Sequence, residues 1–360
     1  MEFVDKAYKL GAGRYIQGAH ALDDAGDEVA RVGGIAYVVG GPTALAVAGE
    51  RLRRSLELAG VGVYVREYEG QTSYAAAHRF ADEAHEHGCD VVVGVGGGRI
   101  MDLAKAVGHF AGLSTVEVPT STATCAACSP LSVMYDEDGG VVDCLRYENE
   151  CAAVVVDLSV LAGQPERLVA AGVLDAMAKH YEICNGRRSL DLDNESIQRV
   201  LAYEYARVNY SHLERLGLEA CQDLVDNGET DALDKVAFLT LAATGVVSGF
   251  TRNYLQTALA HKVCDGVKVF YHDQAAGCLH GELVAIGLIA QIHYNGSDEQ
   301  AERLQRLMGK MHMAKRLGEL GVDLRDKRGD NFREYVRTSG FVGEDEESQR
   351  RFSEAMALIA

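Results

Sequence analysis

Short apolar segments alternate with helix-like segments through residues 34–159, and this alternation constrains the fold more than any other feature of the sequence. The apolar segments are rich in Val and typical of buried strands; they are 34–40, 61–68, 89–95, 114–120 and 152–159. The helix-like segments between them are 42–60, 73–88 and 100–112, and Ser73 is predicted to cap the second of them. Strand–helix alternation of this kind predicts a parallel, doubly wound sheet.

The character of the sequence changes near residue 162. A hairpin is predicted at 131–148, turning around Asp138-Gly139-Gly140. Beyond the last predicted strand, helical periodicity dominates to the end of the chain. We therefore expect an α/β domain over residues 1–162 and an all-α domain over residues 163–360.

Charge and cysteine content exclude several classes of function. A net charge of −18 disfavours nucleic acid and anionic membranes as partners. No window holds the roughly 18 uncharged apolar residues that a membrane span needs, and the start MEFVDKAYKLGAG has no apolar leader region. Nine scattered cysteines in a chain of this length argue against a disulfide framework. We expect a cytoplasmic protein with neither a nucleic-acid nor a membrane partner.

A glycine-rich turn follows the strand at 89–95, in the run GVGGGRIMDLAKA. Glycines let a backbone approach a phosphate, and the N-terminus of the following helix offers unpaired N–H groups. Arg99 stands where a G-x-G-x-x-G motif would have its third glycine, so a tight turn that needs positive φ is the alternative. Hydroxyl side chains follow the next strand, at the end of the sheet where ligands bind; they are Thr120, Ser121, Thr122 and Thr124.

Three potential metal ligands lie in apolar, helix-like segments of the second half, namely Asp175, His261 and His280. A divalent ion needs about three nitrogen or oxygen ligands on rigid elements. Each residue also has an ordinary alternative, because Asp175 can pair with Lys179 one turn along its helix and the histidines can be hydrogen-bonded core residues. The single C-x-x-C, at residues 125–128, lacks the second pair that a structural zinc site needs.

Five segments occur in the chain in a fixed order: GVGGGRIMDLAKA, PTSTATCAACSPLSVMYDEDG, AAGVLDAMAKHYE, AHKVCDGV and LHGELVAIG. Together they resemble the glycerol dehydrogenase branch of the metal-dependent, iron-containing type of alcohol dehydrogenases, over roughly residues 35–295. The resemblance implies a dehydroquinate synthase-like architecture. An N-terminal dinucleotide-binding domain and a C-terminal helical domain, which holds metal and substrate, then flank an active-site cleft.

The resemblance also implies roles for individual residues. Asp175, His261 and His280 match three protein ligands of one Zn²⁺ or Fe²⁺, in a family that transfers hydride between NAD or NADP and a substrate alcohol. The positions that match its cofactor contacts are Gly96, Gly97, Gly98, Arg99, Ile100, Met101, Asp102, Thr120, Ser121, Thr122, Ala123, Ser129, Leu131 and Tyr135. Relatives of this type form homo-oligomers, which we also expect here.

The sequence departs from glycerol dehydrogenases at positions expected to face the substrate. Cys125 stands where they carry an Asp that contacts a glycerol hydroxyl, and a thiol cannot accept polyol hydrogen bonds as a carboxylate does. The run TCAACSPLSV looks more like bacterial 2-hydroxycarboxylate dehydrogenases of the same family. A cation is then wanted for the substrate carboxylate, and Lys179 and Arg252 are candidates. Cys264 replaces a second histidine that the family often has near the substrate.

Gly40 and Gly41 end the strand at 34–40, where NAD-selective enzymes often hold a carboxylate for the ribose. NADP(H) is therefore admissible as well as NAD(H), with a slight preference for NADP(H). The sequence predicts a metal-dependent oxidoreductase that acts on a small secondary alcohol or 2-hydroxy acid. A polyol dehydrogenase such as a glycerol dehydrogenase, a lyase resembling dehydroquinate synthase and a non-catalytic relative are the alternatives.

Overall fold

The computed structural model describes residues 7–137, 139–226, 230–252 and 255–360. Its strands are β1 (Tyr15–Gly18), β2 (Ile35–Gly40), β3 (Gly62–Glu67), β4 (Val91–Gly96), β5 (Ser114–Pro119), β6 (Leu131–Tyr135), β7 (Val141–Arg146) and β8 (Ala153–Asp157). Its α-helices are α1 (Ala25–Ala30), α2 (Pro42–Ala44), α3 (Glu50–Leu58), α4 (Tyr74–Glu86), α5 (Gly98–Ala111), α6 (Leu158–Leu161), α7 (Glu166–Cys184), α8 (Ile197–Asp226), α9 (Asp231–Phe238), α10 (Thr244–Phe250), α11 (Leu259–Phe270), α12 (His272–Ala275), α13 (His280–Tyr294), α14 (Asp298–Lys310), α15 (Lys327–Arg337) and α16 (Glu346–Ile359). Single 3₁₀ turns lie at Ala21–Asp24, Ala126–Cys128 and Leu317–Leu320, and π turns lie at Leu45–Gly49 and Leu239–Ala243.

Six strands form one parallel sheet in the order β1-β8-β5-β4-β2-β3, as the alternation predicts. One apolar cluster, with α1 and α3, lies on one face, and a second, with α4 and α5, lies on the other. Coverage of both faces explains why Val91, Val92 and Val93 in β4 have no exposed surface. The sequence does not predict β1, a strand of four residues at the edge of the sheet.

Most local features of the first half match the sequence analysis. Ser73 caps α4 by accepting a hydrogen bond from the Ala76 N–H at 3.2 Å. β6 and β7 form the predicted antiparallel hairpin, in which Gly139 has a φ of 84° and Asp138 lies outside the described residues. The helix predicted at 42–60 is interrupted by the π turn Leu45–Gly49.

The described residues form two compact units. Unit 1 comprises Met1–Pro165 and Asp223–Asn253, and unit 2 comprises Glu166–Gln222 and Tyr254–Ala360. A single division at residue 162 therefore does not describe the chain, because the segment 223–253 belongs with the sheet. Within unit 1 the Gln17 amide donates to Asp234 Oδ1 at 2.6 Å, which ties α9 to β1. Sequence periodicity identifies such a helix but not the partner on which it packs.

In unit 2, α13 packs against both α7 and α11. Two glycines permit the close approach. A methyl group added at Gly281 would lie 2.1 Å from the Ala171 carbonyl oxygen, and one added at Gly287 would lie 2.3 Å from the Ala260 carbonyl oxygen. The backbones of the three helices are thus close enough for their side chains to meet.

One stretch of the described residues, Asp231–Phe250, is long and apolar enough to cross a membrane by length and composition alone. In its most apolar window, 67% of the residues are buried inside the fold. A core helix meets the same criteria as a membrane span, and packing within unit 1 accounts for the apolar composition.

We predict that Gly287→Ala lowers the free energy of unfolding by about 1–3 kcal/mol, because the added methyl group collides with backbone that cannot move aside. Gly309→Ala is the matched control, since Gly309 also lies in a helix of unit 2 and its added methyl would meet nothing closer than Lys315 Nζ at 3.8 Å. That control should gain up to about 1 kcal/mol from the better helix propensity of alanine. Equal effects of the two changes in urea titrations would refute this account of helix packing.

Candidate functional site

The structure brings the three predicted metal ligands together inside unit 2. Asp175 projects from the middle of α7, His261 lies in the first turn of α11 and His280 is the first residue of α13. Asp175 Oδ1 lies 3.5 Å from His261 Nε2 and 3.5 Å from His280 Nε2. One ligand atom from each residue lies within 4.8 Å of the other two, which is a spacing that a single ion can bridge.

Asp175 is a buried acid, and one of its carboxylate oxygens has no hydrogen-bond donor in the described structure. Its side chain is 7% exposed, and its Oδ1 has no hydrogen-bond partner within the described structure. Burial would raise the pKa of Asp175, but the neighbouring His280, with Lys179 and His261 also contributing, holds that pKa below its ordinary value. An ionised buried carboxylate requires a compensating cation. The carboxylate and two imidazoles therefore fit a divalent ion.

The ion pair considered for Asp175 does not form among the described residues. Lys179 lies one turn further along α7, but its Nζ contacts His261 Nε2 at 3.4 Å instead. Lys179 is buried, with 5% of its surface exposed. A lysine ammonium therefore lies beside the three potential ligands and can reach a group bound there.

Each of the two imidazoles has its second ring nitrogen engaged. His261 Nδ1 lies 2.6 Å from Oε2 of the fully buried Glu182, a residue that sequence analysis missed. His280 Nδ1 lies 3.5 Å from Cys264 Sγ and 3.4 Å from Lys268 Nζ. Burial lowers the pKa of His280, but Cys264 and Asp175 outweigh burial and raise that pKa to about 9.

Cys264 lies behind His280 and has no exposed surface. The Cys264 thiol contacts the His280 ring and has no surface open to a substrate, so the contacts within unit 2 do not support the expected role of Cys264 as a substrate contact. The other candidate cation, Arg252, lies in unit 1, where its guanidinium stacks over the Tyr8 ring at 5.3 Å.

The glycine turn of unit 1 is built for close approach and not for positive φ. α5 begins at Gly98 with Gly97 as its N-cap, and the glycines at 94 and 96–98 are absent from the described residues with positive φ. A methyl group at Gly98 would lie 2.6 Å from Thr124 Oγ1, and one at Gly96 would lie 2.9 Å from Ile100 Cβ. The alternative of a positive-φ turn is thus wrong. The N-cap residue Gly97 makes no side-chain hydrogen bond to the N–H groups of the helix N-terminus.

The predicted cofactor residues divide into two groups. Around the turn, the Thr120 N–H donates to the Gly96 carbonyl at 2.9 Å, Ser121 lies next to Gly97, and Arg99 is exposed. The buried members are Gly96, Ile100, Met101, Asp102, Ser121, Thr122 and Ser129. The exposed or partly exposed members are Gly97, Gly98, Arg99, Thr120, Ala123, Leu131 and Tyr135. The second group offers the surface that a bound cofactor can contact.

Two of the buried members, Asp102 and Thr122, make hydrogen bonds to other parts of the protein. Asp102 Oδ2 accepts a hydrogen bond from the Val133 N–H at 3.0 Å, and its carboxylate pairs with Lys105. Thr122 donates its backbone N–H and its hydroxyl to Gln164 Oε1, at 2.9 and 3.2 Å. These contacts give Asp102 and Thr122 structural roles, and the direct cofactor contacts that the resemblance implies for them stay a prediction.

Lys105 holds the segment after the glycine turn in place. Its buried ammonium donates to the carbonyl oxygens of Ala126 at 2.6 Å, Ser129 at 2.9 Å and Leu131. Lys105 is a charged residue in the apolar helix predicted at 100–112, and sequence analysis missed this sign of a buried lysine. The C-x-x-C cysteines at residues 125–128 flank this anchored turn and belong to no group of three or more potential ligands in the described chain.

Glu117 is a second buried acid that sequence analysis missed. It lies in the middle of β5 with no exposed surface, and neither carboxyl oxygen has a hydrogen-bond partner in the described structure. Burial raises the pKa of Glu117 well above its ordinary value, although Lys105 opposes the shift. The Val-Glu-Val run in a strand expected to be buried on both faces is the pattern that marks it.

We predict that Glu117→Gln stabilises the protein at about pH 8, and that the gain shrinks as the pH falls toward 4.5. The ordinary pKa of a glutamate carboxyl is 4.5. When the folded state raises that pKa, the carboxyl destabilises the folded state increasingly as the pH rises above 4.5. The difference in unfolding free energy between variant and wild type then grows by at most about 1.4 kcal/mol per pH unit. Urea titrations across this range measure it, and a difference independent of pH would contradict the prediction.

Comparisons with known proteins agree with the geometry. Residues 12–158 match the family described as iron-containing alcohol dehydrogenase. A glycerol dehydrogenase from Citrobacter freundii is 30% identical over 312 residues, which cover 86% of this chain and 84% of that protein. Hydroxycarboxylate dehydrogenase A from Escherichia coli is 30% identical over 264 residues, covering 72% and 70%. The crystal structure of a probable glycerol dehydrogenase from Sinorhizobium meliloti aligns with a TM-score of 0.83 at 24% identity, covering 98% and 99%, which confirms the predicted fold class.

Proposed function

Because the chain belongs to the iron-containing alcohol dehydrogenase family, we propose that it interconverts small 2-hydroxy acids and 2-oxo acids, using NAD(P) and one divalent metal. As a member it is an oxidoreductase acting on CH–OH groups, in a family that uses NAD(P) and a divalent ion. The observation that carries the substrate class is the buried Lys179 ammonium, 3.4 Å from a ring nitrogen of the potential ligand His261.

Asp175, His261 and His280 would hold the ion through Oδ1 and the two Nε2 atoms. When bound there, a Zn²⁺ or Fe²⁺ ion would lower the pKa of a substrate hydroxyl or polarise a carbonyl. The chain contributes the negative charge of Asp175 and two imidazoles whose Nδ1 atoms are already engaged. The carboxylate of Glu182 at Nδ1 of His261 leaves the Nε2 atom of that ring free for the ion.

Lys179 would bind the carboxylate of a 2-hydroxy acid. A charge-assisted hydrogen bond in a buried site is stronger than one in water. Cys125 supports the same substrate class, since an Asp at that position, as in the glycerol dehydrogenases that this chain resembles, would repel a carboxylate. A neutral polyol has no group that requires the lysine.

The cofactor is assigned to unit 1 and the metal and substrate to unit 2. The N–H groups at the start of α5, which have no side-chain cap, would bind the pyrophosphate. The strand β2, which neighbours the glycine strand β4, ends at Gly40 without a carboxylate, so NADP(H) is admissible beside NAD(H). Glu67, the last residue of β3, is paired with Gly40 of β2 and would offer a carboxylate to a ribose hydroxyl.

A polyol dehydrogenase is the second candidate, favoured by the likeness to the glycerol dehydrogenase of Citrobacter freundii. The relatives compared above are oxidoreductases, which favours dehydrogenase chemistry over the lyase alternative. We further propose a cytoplasmic homo-oligomer that binds neither nucleic acid nor membrane. The net charge of −18 supports the absence of nucleic-acid and anionic membrane partners. Nine cysteines, none of them in a disulfide, support a reducing compartment, and the homo-oligomer rests on the family resemblance alone.

Oxidation of NADH and NADPH with a panel of carbonyl compounds tests the proposal. The panel contains 2-oxobutyrate, 2-oxoglutarate, dihydroxyacetone and simple aldehydes, each with Zn²⁺, Fe²⁺ or a chelator. We expect chelator-sensitive turnover that is faster with the 2-oxo acids than with dihydroxyacetone. A preference for dihydroxyacetone would establish the polyol alternative, and no chelator-sensitive turnover would contradict the metal-dependent mechanism.

We predict that Lys179→Met raises KM for a 2-oxo acid and leaves KM for dihydroxyacetone almost unchanged. Loss of a hydrogen bond to a charged partner costs about 1.5–3 kcal/mol, which corresponds to about 10–100-fold. Lys262→Met is the matched control, because that lysine lies over the Tyr335 ring at 3.7 Å and takes no part in the cluster. Steady-state kinetics distinguish the variants, and an equal rise in KM for both substrates would contradict a carboxylate-binding role.

A further inference from the structure

We infer that Glu182 is a positioning residue, which directs His261 toward the metal by fixing the position of its ring proton. The inference rests on the proposed function, since it concerns the ion that Asp175, His261 and His280 would hold. Glu182 lies on α7, two turns beyond Asp175, and its carboxylate is fully buried.

The two oxygens of Glu182 have different tasks. Oε1 accepts the backbone N–H groups of Ala258 at 2.6 Å and His261 at 2.9 Å, at the start of α11. The residue before α11, Ala258, has no side chain that can cap the helix, so Glu182 supplies the cap from α7. Oε2 is left for the His261 ring, whose Nδ1 lies 2.6 Å away.

This arrangement determines which ring nitrogen carries the proton. A carboxylate has only acceptors, so the ring must donate from Nδ1–H to Oε2. Nε2 then keeps its lone pair, and it is the atom 3.5 Å from Asp175 Oδ1. Hydrogen bonds from metal-bound histidines to carboxylates fix ring orientation in this way, and their loss typically costs 10–100-fold in metal affinity.

The other histidine has no such partner. His280 Nδ1 has a thiol at 3.5 Å and an ammonium at 3.4 Å, from Cys264 and Lys268. A thiol is a weak acceptor and an ammonium is not an acceptor at all. Glu182 is thus the one carboxylate that orients a ligand ring of the cluster from behind, among the described residues.

Glu182→Gln tests the inference, because glutamine keeps the shape and reverses one hydrogen bond. Its single oxygen is needed by the two backbone N–H groups, so its NH₂ group faces Nδ1 as a donor. The ring must then carry its proton on Nε2, the nitrogen needed for the metal. We expect Zn²⁺ affinity of the metal-free protein, measured by competition with a chromophoric chelator, to fall 10–100-fold. The free energy of unfolding without metal should change little.

Glu282→Gln is the matched control. Glu282 is also buried in unit 2 and caps the start of α13 by accepting from the Leu279 N–H at 2.8 Å, but its other partner is Arg167 and not a ligand ring. This variant should bind Zn²⁺ nearly as well as the wild type. Equal Zn²⁺ affinity of Glu182→Gln and wild type would overturn the inference while leaving the proposed function intact. Absence of Zn²⁺ binding by the wild type would overturn both.

The wild-type protein gives a measurement that does not depend on the folding of a variant. In Zn²⁺-loaded protein labelled with ¹⁵N-histidine, nitrogen chemical shifts show which ring nitrogen carries the proton, and the His261 signals are assigned by their absence from His261→Asn. The inference expects a proton on Nδ1 and metal on Nε2. Metal on Nδ1 would overturn it.

Discussion

One buried carboxylate, Asp175, organises the second unit of the structure. An ionised acid in the interior is costly unless a cation or a set of donors meets it. Here two imidazoles approach the same oxygen at 3.5 Å, which is too far for strong hydrogen bonds and leaves room for an ion. The glycines at 281 and 287 bring α13 against its neighbours, so the helix packing and the site depend on each other.

The parts of the structure that produce a regular pattern of apolar residues could be predicted from the sequence. The alternation of Val-rich strands and helices predicts the parallel sheet, and the glycines between β4 and α5 predict a helix N-terminus without a side-chain cap. Polar ligand residues are rare in apolar helices, which makes Asp175, His261 and His280 candidates, and the family resemblance then favours metal binding over ordinary core contacts. Each of these features can be recognised in a short segment of the sequence.

What escaped prediction depends on distant contacts. Glu182 is one of many acids in helical segments, and only the packing of α7 against α11 shows that it meets His261. The helices at 223–253 look like others in the second half, yet they belong with the sheet because Asp234 meets Gln17. The sequence predicts that Cys264 contacts the substrate, whereas the structure buries it behind His280. Periodicity reports which face of an element is buried and not which residue it meets.

The claim on which the account depends is that Asp175 and the two histidines bind a single divalent ion. The most direct test is the zinc content of wild type and Asp175→Asn, measured by mass spectrometry after reconstitution with Zn²⁺ and gel filtration. The account predicts one zinc per chain in the wild type and none in the variant, which remains folded because asparagine keeps the shape of the side chain. Equal zinc content in the two proteins, or none in the wild type, would contradict it.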